Sequence, residues 1–343
     1  MKIYYLLTQK CNLSCCHCIR SQTHTSATMA TDAALCNLER LHQYYPDATL
    51  ILSGGEPTLH PDFDTILGQA SSLFSNQTVI ATNGTTAAFR NENLLDTISS
   101  NKKIAVQFSL DGDEAYHDSV RGNGSFAKTL TAMLELNRRG KEVWIATIAT
   151  KHNLSSIMKL EKVLEKFNVR QWKVDPEMPF GSAAFRERAP SIPEWNRFVN
   201  DLISMTPFNL GIKKLFNFEA LDRLSIAEIT EIACNPRSIM LRNCGCVNDK
   251  LYINADFSVY GCTCLEDFPL GNMITDSWEQ IINSENACLL SQYQLQQECK
   301  CNSCRYLPIC NSGCIGMSVH VFGKLGMGDS RCPLLQTARK ELS

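Results

Sequence analysis

Six short apolar runs, rich in β-branched and aromatic residues, recur along the chain at intervals of roughly 25 to 50 residues. They are KIYYLLTQ from Lys2, TLILSGG from Thr49, TVIATNG from Thr78, KIAVQFSLDG from Lys103, EVWIATIAT from Glu142 and QWKVDPEM from Gln171. Between them the apolar spacing changes to the three-and-four rhythm of amphipathic helices. The span 30–45 sets Leu35, Leu38, Leu41 and Tyr45 on one face, and 126–139 carries Leu130, Met133, Leu134 and Asn137 before Gly140, a C-terminal stop. Asn153 is placed to cap a third helix bearing Ile157, Leu160, Leu164 and Phe167. Strands alternating with helices of this length predict βαβ units on a parallel sheet, an α/β fold. Six units make a partial (β/α)6 barrel, two short of eightfold closure, and in such folds the reactive groups sit at the C-terminal ends of the strands. CNLSCCHC follows the first run, GGEP the second, TNG ends the third and SLDG the fourth, so all four fall on one rim.

The pattern divides the chain into a barrel over 1–185, a connector over 186–243 and a small domain over 244–343. The connector carries a short helix after Pro193 and another near 218–232. The last hundred residues are poor in long helices, which predicts a unit held by metal sites rather than by apolar burial. Across 343 residues, 44 % hydrophobic content suffices for a packed core, and no internal repeat or low-complexity tract interrupts it. A net charge of -2 argues against nucleic acid or an anionic membrane as partner. The opening MKIYYLL is too short for a signal peptide, and no apolar stretch of about 18 residues occurs, which predicts a cytoplasmic protein.

Seventeen cysteines change the picture. Without a secretory signal, an odd count suits thiolate ligands for metal better than a disulfide framework. Four lie at 11–18, one at 36 and twelve between 234 and 332, so two metal regions flank a body almost free of cysteine. Cys11, Cys15 and Cys18 form C-x3-C-x2-C. Three thiolates are one fewer than a closed tetrahedral site needs, and a [4Fe–4S] cluster held this way leaves one iron open to an outside ligand. A zinc knuckle completed by Cys16 or His17 is the alternative. Cys16 otherwise reads as a non-ligand thiol, and Cys36 as a small hydrophobe between helical apolar positions. In GGEP the two glycines allow close approach of a ligand to backbone carbonyls, and the carboxylate can take an ammonium group.

Together Cys11, Cys15 and Cys18, GGEP at 54–57, TNG at 82–84 and SLDGDEAYHDSVRGNGSF at 109–126 resemble the radical S-adenosylmethionine enzymes, over essentially the whole chain. The resemblance implies that the three cysteines hold a [4Fe–4S] cluster chelated by the amino and carboxylate groups of S-adenosylmethionine. It also implies that Gly54, Gly55 and Glu56 hold that amino group, and that Asn83, Ser109, Asp111 and Arg121 contact the ribose and carboxylate. His17 stands where the family has an aromatic near the adenine. The chemistry agrees: breaking a sulfonium carbon–sulfur bond needs a strongly reducing electron at contact distance, and iron–sulfur clusters reach about -700 mV. The resemblance further implies a low-potential donor such as flavodoxin or ferredoxin.

CNSCRYLPICNSGC at 301–314, with Cys332 and the upstream Cys244 and Cys262, resembles the SPASM domain, an auxiliary-cluster module of radical enzymes that modify peptides and proteins. Phe257 stands where that pattern has a glycine, and GNM at 271–273 fits the stretch that follows. The resemblance implies two auxiliary iron–sulfur clusters, an outer one on Cys301, Cys304, Cys310 and Cys332 and an inner one on Cys244, Cys262 and Cys314. Cys246 and Cys264 are candidates for the fourth inner ligand, Cys234 less so, and an open site is the other arrangement; zinc would suit the same thiolates. Cys288 and Cys299 fall outside the pattern.

Thr263 replaces the aspartate that follows the matching cysteine in sulfatase-maturing relatives. A first strand starting at Lys2 leaves no room for an N-terminal peptide-recognition domain, and eleven residues follow Cys332, so leader recognition is expected from a separate protein or from the body itself. The expected activity is maturation of a ribosomally made peptide by hydrogen abstraction and carbon–carbon or thioether cross-linking. Epimerisation and sulfatase-type oxidation are the enzymatic alternatives, and a metal-stapled binding scaffold is the non-enzymatic one. Asp175 and Glu177, at the end of the sixth run, are candidates for the proton acceptor, with surface carboxylates as the plainer reading.

Overall fold

The computed structural model describes residues 1–20, 26–183, 188–212, 214–218, 222–234 and 246–335. The six apolar runs are the strands β1 (Lys2–Thr8), β2 (Thr49–Gly54), β3 (Thr78–Thr82), β4 (Ile104–Ser109), β5 (Val143–Ala149) and β6 (Val169–Pro176), each parallel to its neighbour. Helices α1 (Thr31–Tyr44), α2 (Phe63–Leu73), α3 (Glu92–Ser100), α4 (Glu114–Arg121), α5 (Ser125–Arg138) and α6 (Leu154–Leu164) alternate with them. Alternation within the strands separates two apolar layers. Ile3, Tyr5 and Leu7 of β1 and Trp172 and Val174 of β6 pack against the helices, whereas Tyr4, Ile51, Val79, Ala105 and Trp144 line the inner face. Burial on both sides is why these strands read as continuous apolar runs.

Local readings need adjustment where tertiary packing overrides spacing. Cys36, expected as a small core hydrophobe, is exposed, and Asn37 turns inward, donating to the Ala33 carbonyl at 3.0 Å. Leu134 points outward, because α5 buries Phe126, Thr129, Met133 and Leu136 instead. Asn153 does begin α6, but its side chain makes no cap; Oδ1 accepts from the Thr150 amide at 2.6 Å, and Nδ2 donates to the Asp111 carbonyl at 2.7 Å.

The sheet continues past six strands on both edges, in the order β10-β9-β8-β1-β2-β3-β4-β5-β6-β7. Helix α7 (Ile192–Met205), expected to be short, has 14 residues, a Ser191–Glu194 capping box, and Trp195, Phe198, Val199 and Leu202 in the main core. It leads to β7 (Leu210–Gly211), which pairs with β6. On the other edge β8 (Lys250–Ile253) runs parallel to β1, followed by β9 (Ser258–Tyr260) and β10 (Pro269–Asn272). The cysteine-rich region is therefore not held by metal sites alone. Leu251, Ile253, Val259, Leu270, Trp278 and Ile281 belong to the main apolar core, a contribution hidden in a sequence of short elements. Among the described residues no helix is long and apolar enough to cross a membrane.

Candidate active site

Parallel strands place their C-terminal ends together, and the first cysteine loop leaves β1 there. Register slips between Leu6 and Thr8, a bulge that brings Thr8 opposite Gly54. The two glycines of GGEP serve this contact. A Cβ on Gly54 would stand 2.2 Å from the Thr8 carbonyl oxygen, and one on Gly55 2.4 Å from that of Lys10. Their small size lets the Gly55 amide donate to the Thr8 carbonyl at 2.8 Å and the Glu56 amide to the Lys10 carbonyl at 2.9 Å. The stretch thus fixes the backbone that carries Cys11.

Glu56, expected to take a ligand ammonium, is fully buried and accepts from Thr58 Oγ1 at 2.7 Å, Thr82 Oγ1 at 2.8 Å and the Asn83 amide at 2.8 Å. Burial pushes its carboxyl up, against these donors. Its side chain joins the ends of β2 and β3. Asn83 in turn donates through Nδ2 to Asn12 at 3.0 Å and points the same group at Cys11 Sγ, 4.0 Å away.

Asp111, beyond Ser109 at the end of β4, is 1 % exposed. Its Oδ2 meets Arg121 Nε at 2.5 Å and His17 Nε2 at 3.2 Å, and Oδ1 accepts from the Ile148 amide at 2.9 Å. Burial opposes the Asp111 charge, but Arg121 and His17 together hold its carboxyl well below the usual range. Burial likewise works against the Arg121 cation and Asp111 more than offsets it. Burial lowers His17 to about 4, so at neutral pH the imidazole is uncharged and donates Nε2–H to Asp111. Arg121 Nη1 lies 3.9 Å from Cys15 Sγ. Burial pushes the Cys15 thiol up to about 11 and Arg121 pulls it back, a setting in which a bound metal would be needed to draw off the proton.

Cys11, Cys15 and Cys18 lie within reach of one another's charge, as three thiol ligands of one cluster would. Cys11 and Cys15 each have a side-chain N–H aimed at sulfur, whereas Cys16 is engaged elsewhere, accepting from Arg188 Nη1 at 2.9 Å. Arg188 also lies 3.6 Å from Glu177. Of the two carboxylates at the end of β6, Asp175 is 48 % exposed and pairs with Lys173 at 2.5 Å, on the face opposite Trp172 and Val174; Glu177, just past the strand, is buried.

Farther along, Cys301, Cys304, Cys310 and Cys332 line one cavity with Phe216, Phe218, Leu307 and Asp329. Cys299 lies beside Cys301, nearer this group than its spacing indicated. Cys262, Cys264 and Cys314 stand close enough to act on one another's charge. Cys244 lies outside the described residues, as does the side chain of Cys246. Asp329 joins the two groups, lining the cavity while Oδ2 accepts from the Cys314 amide at 3.0 Å and Arg331 Nη2 at 2.8 Å. Asn12, Arg188, Asp329 and Arg331 escaped the sequence reading, because no spacing marks a polar residue whose partner is distant in the chain. Arg331, next to Cys332, offered at most a hint.

Comparison with known proteins agrees with this arrangement. The sequence profile of the Radical SAM superfamily matches residues 5–164. The mycofactocin maturase MftC of Mycobacterium ulcerans is 25 % identical over 338 residues, covering 95 % of this chain and 86 % of the relative. The cysteine-type anaerobic sulfatase-maturating enzyme of Clostridium novyi is 26 % identical over 333 residues, covering 90 % and 85 %. Streptococcus suis SuiB, solved bound to the precursor peptide SuiA, superposes with a TM-score of 0.76 at 18 % identity, covering 97 % of this chain and 75 % of that one, so the likeness in fold runs through the cysteine-rich region. With the thiol triad on the barrel rim and the profile match over 5–164, residues 5–164 of the chain are a radical SAM domain.

Proposed function

We propose that this chain is a maturase of a ribosomally made peptide, acting by hydrogen abstraction from a side chain and oxidative cross-linking through a carbon–carbon or thioether bond. The observation that carries the reading is the rim itself: three thiols on one loop, two of them faced by Asn83 and Arg121, beside the buried Asp111. Cys11, Cys15 and Cys18 would hold a [4Fe–4S] cluster, and the surrounding Gly54, Gly55, Glu56, Asn83, Ser109, Asp111, Arg121 and His17 the S-adenosylmethionine. When bound, this pair supplies a 5'-deoxyadenosyl radical able to take hydrogen from unactivated carbon.

The chain's own task is position and exclusion. Asp111 fixes the Arg121 guanidinium and the His17 ring, and Glu56 pins the ends of β2 and β3, so these donors need no rearrangement when ligand arrives. A cross-link removes two electrons from the peptide, which gives a purpose to auxiliary clusters on Cys301, Cys304, Cys310 and Cys332 and on Cys262, Cys314 and their partners. Asp175, on the open inner face of β6, is the carboxylate suited to accept a proton from bound peptide, and its pair with Lys173 orients it. The peptide and an electron donor of the flavodoxin or ferredoxin kind complete the system in this reading, with the leader recognised by a separate protein or by the body itself. Sequence similarity to the mycofactocin maturase MftC, and a fold shared with SuiB, which was solved bound to a precursor peptide, support it.

The test is a search for a short peptide gene beside this one, then anaerobic reconstitution, iron counting and incubation of that peptide with the protein, reductant and S-adenosylmethionine. 5'-Deoxyadenosine together with a peptide lighter by two hydrogens is the expected result. Unchanged peptide mass would replace cross-linking with epimerisation, oxidation of a serine or cysteine in a large protein would indicate sulfatase-type chemistry, and bound zinc without 5'-deoxyadenosine would leave a scaffold.

A further inference from the structure

Arg20 lies two residues beyond Cys18, outside every motif, and leaves its own loop to reach the C-terminal region. Nη1 donates to Asn254 Oδ1 at 3.0 Å, and the guanidinium carbon stands 5.8 Å over the Tyr252 ring. Tyr252 stacks on Tyr4 of β1 with centroids 4.3 Å apart and planes 7° from parallel, so Arg20 sits on the seam where β8 joins the barrel. The cross-strand partner of Tyr252 is Tyr260, two residues before Cys262. Glu266 is the nearest charge in effect on Arg20 and partly offsets it, and Cys18 of the first loop and Cys262 of the C-terminal region both lie within reach of the remaining field. Asn254 is buried at the turn from β8 to β9, with its amide donating to the Ser258 carbonyl at 2.9 Å, so the acceptor that aims the guanidinium is itself fixed.

We propose that Arg20 is a positioning residue shared by the first cluster and the inner auxiliary cluster, holding one positive charge between them and raising the reduction potential of both. This rests on the cluster assignments given above. A cation near a thiolate-ligated cluster stabilises the form carrying the added electron, and in the low-dielectric seam its field is weakly screened. A charge common to both sites makes their potentials move together, which suits a protein that passes electrons between them. The outer thiol group, in its own cavity around Cys310 and Cys332, lies beyond this contact.

The experiment is an EPR-monitored redox titration of the reconstituted full chain, with iron counted per chain. A Cys11→Ala/Cys15→Ala/Cys18→Ala background isolates the auxiliary signals. In Arg20→Gln the first and inner midpoint potentials should both move to more negative values at unchanged iron content, the outer one should stay, and Arg20→Lys should return the values toward those of the parent. Should Arg20→Gln lose iron, Asn254→Asp decides: nearly isosteric and 3.0 Å from the guanidinium, it offsets the charge in place and should shift the same two potentials negatively. Unmoved potentials in an iron-replete variant, a shift confined to one cluster, or an equal shift in Arg20→Lys would overturn the proposal. A parent protein that binds no iron would instead overturn the cluster assignments themselves.

Discussion

Replacing Asp111 by asparagine tests the electrostatic centre of the rim. Asparagine keeps the shape and the oxygen that accepts from the Ile148 amide, but sets an amide NH2, a donor, where the carboxylate oxygen faces Arg121 at 2.5 Å and His17 at 3.2 Å, so the charge and the acceptor are lost together. Arg121 has a side-chain exposure of 10 %, so its cation would lose its partner in a nearly dry site. Breaking a buried pair from one side costs about 3–5 kcal/mol, and the retained hydrogen bond places the expected loss near ~3 kcal/mol. With an unfolding entropy of about 2.1 cal/mol/K per residue over 343 residues, that loss lowers Tm by about 4 °C. The folded carboxyl is held below its free value, so its stabilisation is complete above about pH 4 and is lost only as pH falls through the folded value; scanning calorimetry at pH 7.5 reads it in full. The double variant Asp111→Asn/Arg121→Met removes both charges and should recover part of the loss. A fall below about 1 °C in the single variant, or strictly additive falls in the double, would refute the reasoning.

Three further outcomes follow from the same geometry. Gly55→Ala places a Cβ 2.4 Å from the Lys10 carbonyl oxygen and must displace the strand that enters the cysteine loop; iron analysis should show about four irons lost from the first site, and full loading would contradict the steric argument. Burial lowers His117 to about 4, so as pH falls below about 6.5 the unfolded chain takes up the proton first; stability drains away between pH 6.5 and 4, by up to about 3 kcal/mol, and His117→Gln should show a flatter dependence of Tm on pH than the parent. Phe257→Gly relieves about 1–2 kcal/mol at a φ of 66° but gives up a buried ring worth about 3–5 kcal/mol, so the variant should melt lower, and a Tm at or above the parent's would show that backbone strain dominates.

Phe257 also illustrates how sequence and structure divide the information. The missing glycine of the C-terminal pattern is visible in the text, and the left-handed backbone there explains why glycine suits the position; only the fold reveals that this chain fills it with a core side chain. The barrel strands, their helices and the common rim were legible because burial on both faces of a parallel sheet, and on one stripe of a helix, imposes a period on neighbouring residues. The thiol triad was legible because its ligands share one loop. Short strands such as β7 and β8 carry too few residues to establish a period, so the union of the C-terminal region with the barrel in one sheet appears only in three dimensions.

By itself, then, the sequence determined the α/β class, the six strands and the cysteine loops, all encoded in spacings of a few residues. Tertiary structure alone decided that Glu56 faces Thr82 and the Asn83 amide, that Asp111 binds Arg121 and His17 together, and that Arg20 reaches Asn254 across 234 positions. These are contacts between single polar groups far apart in the chain, and their partners are selected by burial, which makes an unpaired charge or donor costly wherever the packed elements bring it.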